Sequence, residues 1–165
     1  MEFEITFEKL SADERSALLE QGERRTFAHG DVIITEGQPQ GALYVLLSGR
    51  VRVERNLRVR ARYVAAGGRV AIGRVDAGAE YVDQPVQLAR MGKGAIFGEI
   101  SLLLEESQAS ASVVAEEAAE VVRVDWSMLN GFLDANMELR SRFCQSLAIT
   151  LARRLRSTNK RVNSE

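Results

Sequence analysis

The side chains most able to do chemistry are concentrated between residues 96 and 113. The run Ile96-Phe97-Gly98-Glu99-Ile100-Ser101-Leu102-Leu103-Leu104 is followed, after a few residues, by Ala109-Ser110-Ala111-Ser112-Val113. This reads as an apolar strand end, a glycine-acid turn, one short helical turn and a small-residue segment entering a strand. Phe97 and the leucines can anchor in a core, while Gly98 lets backbone approach a ligand closely. The amides of Ile100 and Ser101 open the short helix, where unsatisfied N–H groups and the dipole favour an anion. Ionised Glu99 can only accept hydrogen bonds, which suits a sugar hydroxyl better than a phosphate. Together these residues suit recognition.

Composition narrows the alternatives. There is one histidine, His29, and one cysteine, Cys144, so neither an intrachain disulfide framework nor a Cys/His metal site can be assembled. A metal-dependent enzyme on a β-barrel needs clustered histidines, and nothing marks a nucleophile elbow for Ser-His-Asp chemistry. The expectation is therefore a non-enzyme without a metal. No apolar run approaches the length of a membrane span, and Met1-Glu2-Phe3-Glu4 is not a signal-peptide opening, so a cytoplasmic protein is expected. At 165 residues, 45% apolar and a net charge of −1, the chain suits one well-buried domain with a helical appendage. From Ala135 onward seven basic residues stand against Glu138 and Glu165, and Arg50, Arg52, Arg55, Arg58, Arg60 and Arg62 form a second basic cluster. Such runs are either solvated faces or docking surfaces for an acidic partner.

Elements to position the site can be read in order. Ser11 and Glu14 form a capping-box pattern, Leu18 and Leu19 an apolar face, and Gly22 a C-terminal stop. Turn residues then recur every few positions: His29-Gly30-Asp31, the strand Val32-Ile33-Ile34, and the turn Glu36 to Gly41. The largely apolar run Leu43 to Val53 follows, interrupted at Ser48-Gly49. Beyond it, apolar residues alternate with charged ones to Tyr63, which predicts a long half-buried strand. Gly67-Gly68 is a hairpin signal, with Arg69 to Val75 returning, Asp76-Ala77-Gly78 and Asp83-Gln84-Pro85 as turns, and Val86 to Met91 as a strand. Val113 to Ala115 and Val121 to Val124 are closing strands around an acidic turn. Asp125 is placed to cap a helix over Trp126 to Leu133, and Asn136 to cap the longest helix, running to about Ser157. Along the latter, Leu139, Phe143, Leu147, Leu151 and Leu155 recur every four residues, with Cys144, Ala148 and Ala152 beside them. That stripe is broad enough for the barrel and a second copy, so a homodimer is expected; the alternative is a helix folded wholly onto its own barrel.

The segment 97–113 resembles the phosphate-binding cassette of the cyclic-nucleotide-binding domain family, whose pattern is Phe-Gly-Glu-Leu-Ala-Leu and then Pro-Arg-Ala-Ala-Ser/Thr-Val. Phe97 to Leu102 fit it closely, and Leu43 to Val53 resembles the family's strand pair with its bend glycine. The resemblance implies a mainly β fold with flanking helices. This is an antiparallel jelly-roll β-barrel with an N-terminal helix, a short cassette helix and a long C-terminal helix. Residues 1–134 would form the barrel, with an enlarged hairpin at about 54–87, and residues 135–165 the C-terminal helix and basic tail. It implies that Glu99 accepts from a ribose 2′-hydroxyl, that the amides of Gly98, Ile100 and Ser101 face the cyclic phosphate or sugar, that Ser110 touches a phosphate oxygen, and that Ser112 lies near the base. The ligand would be a cyclic nucleotide, cyclic AMP or cyclic GMP, and the role regulatory, in bacterial-type signalling.

The family's arginine falls on Ala109 and its proline on Gln108. A charge-assisted hydrogen bond to phosphate contributes about 1.5–3 kcal/mol. Its loss takes a micromolar site to roughly tens or hundreds of micromolar, unless Arg58, Arg60, Arg62 or a partner subunit compensates. Two functions follow: a sensor binding a cyclic nucleotide weakly or atypically, or a ligand-free module docking a protein partner through the hairpin and basic helix. The family's transcription factors continue into a helix-turn-helix, and Asn159 to Glu165 are too few for one, so no DNA-binding domain is expected.

Overall fold

A computed structural model describes residues 7–60, 81–104 and 108–162. Two four-stranded antiparallel sheets face each other as a jelly roll. The strands are β1 (Glu23–Phe27), β2 (Val32–Ile34), β3 (Ala42–Ser48), β4 (Val51–Arg60), β5 (Tyr81–Met91), β6 (Ile96–Phe97), β7 (Ser112–Ala115) and β8 (Ala119–Asp125). One sheet runs β1-β8-β3-β6 and the other β2-β7-β4-β5. Helices α1 (Ala12–Glu20), α2 (Glu99–Leu103), α3 (Trp126–Asp134) and α4 (Met137–Val162) complete the chain.

The alternation of side chains along β3 explains the layering. Leu43 and Val45 point to one face, where Leu18, Leu129, Phe143 and Leu147 cover the sheet with helix. Ala42, Tyr44 and Leu46 point to the other, meeting Val51, Phe97, Val113 and Val121 between the sheets. A strand buried on both faces must be apolar almost throughout, as Ala42 to Leu47 is.

The caps at Ser11 and Asn136 form as expected. Ser11 Oγ accepts from the Glu14 N–H while Glu14 accepts from the Ser11 N–H, and Asn136 Oδ1 accepts from Glu138 and Leu139. Three local expectations are corrected. Gly22 is not a left-handed stop: the helix ends through Gln21, and a Cβ at Gly22 would lie 2.4 Å from Val122, so the residue is small because β8 passes close by. Asp125 precedes α3 without capping it, its carboxylate instead engaging Arg123 at 2.7 Å. Asp83-Gln84-Pro85 are not a turn but lie within β5, opposite Arg58, Leu57 and Asn56. Proline is tolerated there because β5 is an edge strand, where an N–H facing away from the ladder is dispensable. Gly67-Gly68, Arg69 to Val75 and Asp76 to Gly78 lie outside the described residues.

Candidate functional site

The site is assembled around Gly98. Strand β6 pairs with β3, setting Phe97 opposite Tyr44, and the two rings stack at 5.2 Å. Gly98 then turns the chain with φ +86°, and a Cβ there would meet Gln40 Nε2 at 2.5 Å and the Ala42 carbonyl at 2.7 Å. Only glycine satisfies both the positive φ and the close approach. The turn drives Glu99 inward at the start of α2, where it is 2% exposed.

Across 55 residues of chain, Arg154 on α4 reaches that carboxylate: Nη1 lies 2.7 Å from Glu99 Oε1, and Nη2 donates to the Ile96 carbonyl. Arg154 is the residue that reading the sequence passed over. Its only signal was membership of the basic run on α4, which says nothing about direction.

A cavity of about 810 Å³ opens beside this pair, within the size range of small-molecule sites. Gly98, Glu99, Ile100, Ser101 and Ser110 all line it, as do Ala109 and the inward residues Val53, Ala89 and Val113 of the second sheet. Ser112 does not; its hydroxyl accepts from the Glu36 N–H at 2.9 Å, fastening the β2–β3 turn to β7. The Ser101 hydroxyl is also occupied, donating to the Gln108 carbonyl at 3.0 Å. The cassette strand is strapped further by Gly37 N–H to the Ala109 carbonyl, 2.8 Å, and Ala109 N–H to the Gln38 carbonyl, 2.9 Å.

Four arginines, Arg55, Arg90, Arg153 and Arg154, stand on the cavity wall against two glutamates, Glu8 and Glu99. Their carboxylate partners are Glu36, Glu116, Glu8 and Glu99 respectively. A concave, partly apolar chamber with excess guanidinium is suited to an anion with an apolar body. Arg58, named above as a replacement for the cassette arginine, is not on this wall, and the side chains of Arg60 and Arg62 lie outside the described residues. Among the described residues, no group of histidine, cysteine, aspartate or glutamate is arranged to hold a metal ion, and no helix is long and apolar enough to cross a membrane.

The family model for the cyclic nucleotide-binding domain matches residues 63–136, which include the whole cassette. The chain is 31% identical over 156 residues to the cyclic AMP receptor protein of Thermus thermophilus, covering 93% of itself and 58% of that relative. Over these residues the chain matches the cyclic-nucleotide-binding domain family. Among solved structures, Thermus thermophilus catabolite activator protein superposes with a TM-score of 0.66 at 29% identity, over 95% of this chain and 61% of that one. Glutaminase 1 of Bradyrhizobium diazoefficiens is 30% identical over 156 residues, which cover 94% of this chain and 21% of the glutaminase. The chain thus spans under two thirds of the length of each of these relatives, and the activity of their full lengths is not transferred with the match.

Proposed function

We propose that this domain is a regulatory sensor that takes a cyclic nucleotide, cyclic AMP or cyclic GMP, into the cavity between the cassette and α4. The observation that supports this most is the Glu99–Arg154 pair. The carboxylate placed to accept from a ribose hydroxyl is held by a guanidinium of the longest helix, 2.7 Å away. A ligand that engages either group changes what the other can hold, and so favours one placement of α4 over another. With Ala109 in the arginine's place, the contacts to the ligand are atypical for the family. Titration calorimetry with cyclic AMP, cyclic GMP and cyclic di-GMP tests the reading. Saturable heat below millimolar ligand is the expected outcome, and none at millimolar concentration overturns it.

Helix α4 is proposed to pair with a second copy. Leu139, Phe143 and Leu147 are buried on the barrel, whereas Cys144, Ala148, Ala152 and Leu155 form an exposed row at helical spacing, Leu155 being 63% exposed. A second reading, a ligand-free docking module, is supported by the β4–β5 arm. β7 pairs with β4 only as far as Glu54, so from Arg55 to Arg60 the arm is two-stranded. The same calorimetry separates the two readings, since only the sensor produces heat with nucleotide.

A further inference from the structure

The guanidinium missing at Ala109 has a counterpart on another strand. Along β4, Val51 is buried between the sheets and Val53 lines the cavity, so Arg55 is the next inward position at two-residue spacing. The outward positions, Arg52 and Glu54, pair with each other at 2.9 Å. At this point β5 carries one extra residue, Leu88, since Val53 faces Ala89 and Glu54 faces Gln87. Such a bulge increases local twist and re-aims neighbouring side chains. Leu88 and Arg55 both line the cavity at its junction with the arm.

Arg55 is tethered to the cassette itself. Its Nε lies 3.1 Å from Glu36 Oε1, and the Glu36 N–H binds Ser112 while the next residue's N–H binds the Ala109 carbonyl. The two Nη groups of Arg55 have no hydrogen-bond partner among the described residues. Glu36 is not dependent on Arg55, because its Oε2 also accepts the Asn56 N–H at 2.8 Å. An exposed pair of this kind is a weak one, so the guanidinium can turn to a better acceptor. The other wall arginines are placed differently. Arg154 is committed to Glu99, Arg153 to Glu8, and Arg90 lies opposite Arg52 on the outward row and pairs with Glu116.

We propose that Arg55 binds the anionic phosphodiester of the ligand, replacing from β4 the guanidinium that the cassette lacks at Ala109. This rests on the sensor reading above, and the test keeps the two apart. The intact chain, Arg55→Gln and Glu36→Gln are titrated with cyclic AMP, cyclic GMP and cyclic di-GMP, with thermal midpoints recorded alongside. Arg55→Gln is expected to weaken the bound nucleotide about 10- to 100-fold with little change in midpoint, since more than half of that side chain is exposed. Glu36→Gln keeps an oxygen for the Asn56 N–H but removes the charge competing for Arg55, so affinity is expected to hold or rise. If the intact chain binds and Arg55→Gln binds within twofold of it, the proposal falls while the sensor reading stands. Equal losses in both variants would also overturn it, because the tether rather than the guanidinium would then matter. Absence of heat from the intact chain removes the sensor reading and the proposal together.

Discussion

Glu99 and Arg154 form an ion pair at 2.7 Å that ties α4 to the cassette, and on the sensor reading the same pair faces the ligand. The carboxylate is 3% exposed and the guanidinium 25%. Removing one partner of a fully buried pair costs about 3–5 kcal/mol. Because a quarter of Arg154 meets solvent, Arg154→Gln is expected to lose about 1–3 kcal/mol in urea denaturation. A variant as stable as the parent would show that the pair contributes nothing to the fold. Glu14 supports a pH prediction. Its carboxyl is held below the usual glutamate range, first by the Ser11 backbone N–H and further by Arg142, against opposing desolvation. A depressed folded-state pKa means stability that is present above the ordinary glutamate pKa and lost as pH falls through the folded value. Glu14→Gln is therefore expected to melt lower than the parent at neutral pH. The gap should close as pH drops below the ordinary glutamate range; a constant gap in scanning calorimetry would contradict this.

At the scale of elements, the glycines rank the turns by how much tertiary structure depends on them. Gly37 and Gly49 both have positive φ, +76° and +83°. A Cβ at Gly37 meets nothing within 4 Å, whereas at Gly49 it would lie 2.2 Å from the Ala118 carbonyl. Gly37→Ala is expected to cost about 1–2 kcal/mol from backbone conformation alone. Gly49→Ala should cost clearly more, because β3–β4 and the β7–β8 connection cannot both keep their places. Equal urea midpoints for the two variants would refute the ranking. Helix α4 is held by a different device: Phe143, 1% exposed, stacks on Phe7 with centroids 5.2 Å apart. Phe143→Ala is expected to lose about 3–5 kcal/mol, the largest single loss among these variants.

At the scale of the whole molecule, α4 joins the cavity to the outer surface. Its buried row rests on the barrel, Arg154 enters the site, and the exposed row from Cys144 to Leu155 is available to a second copy. If that row pairs, a charge at its centre cannot be accommodated. Ala148→Glu is expected to turn a dimer into a monomer in light scattering at micromolar concentration, with the barrel still folded. A parent chain that is already monomeric there would refute the pairing.

What the amino-acid order determined by itself was local: the capping box at Ser11, the apolar run of β3, the alternation that opens β4 and the glycine-acid turn at Gly98. In each, backbone conformation and side-chain periodicity are properties of a few neighbouring residues. Asp83 to Pro85 marked the limit of that logic, because whether a proline ends a strand depends on which edge of the sheet it occupies. The tertiary structure alone decided which charges share the cavity. Arg55, Arg90, Arg153 and Arg154 come from three separate elements, and the reach of a long flexible side chain depends on how those elements pack. It also decided that Ser112 would fasten the Glu36 turn while Ser110 lines the cavity. Ser110 lies in the bend ahead of β7 and Ser112 is that strand's first residue, so their two-residue spacing does not put them on one face, and the packing of the Glu36 turn against Ser112 separates their roles.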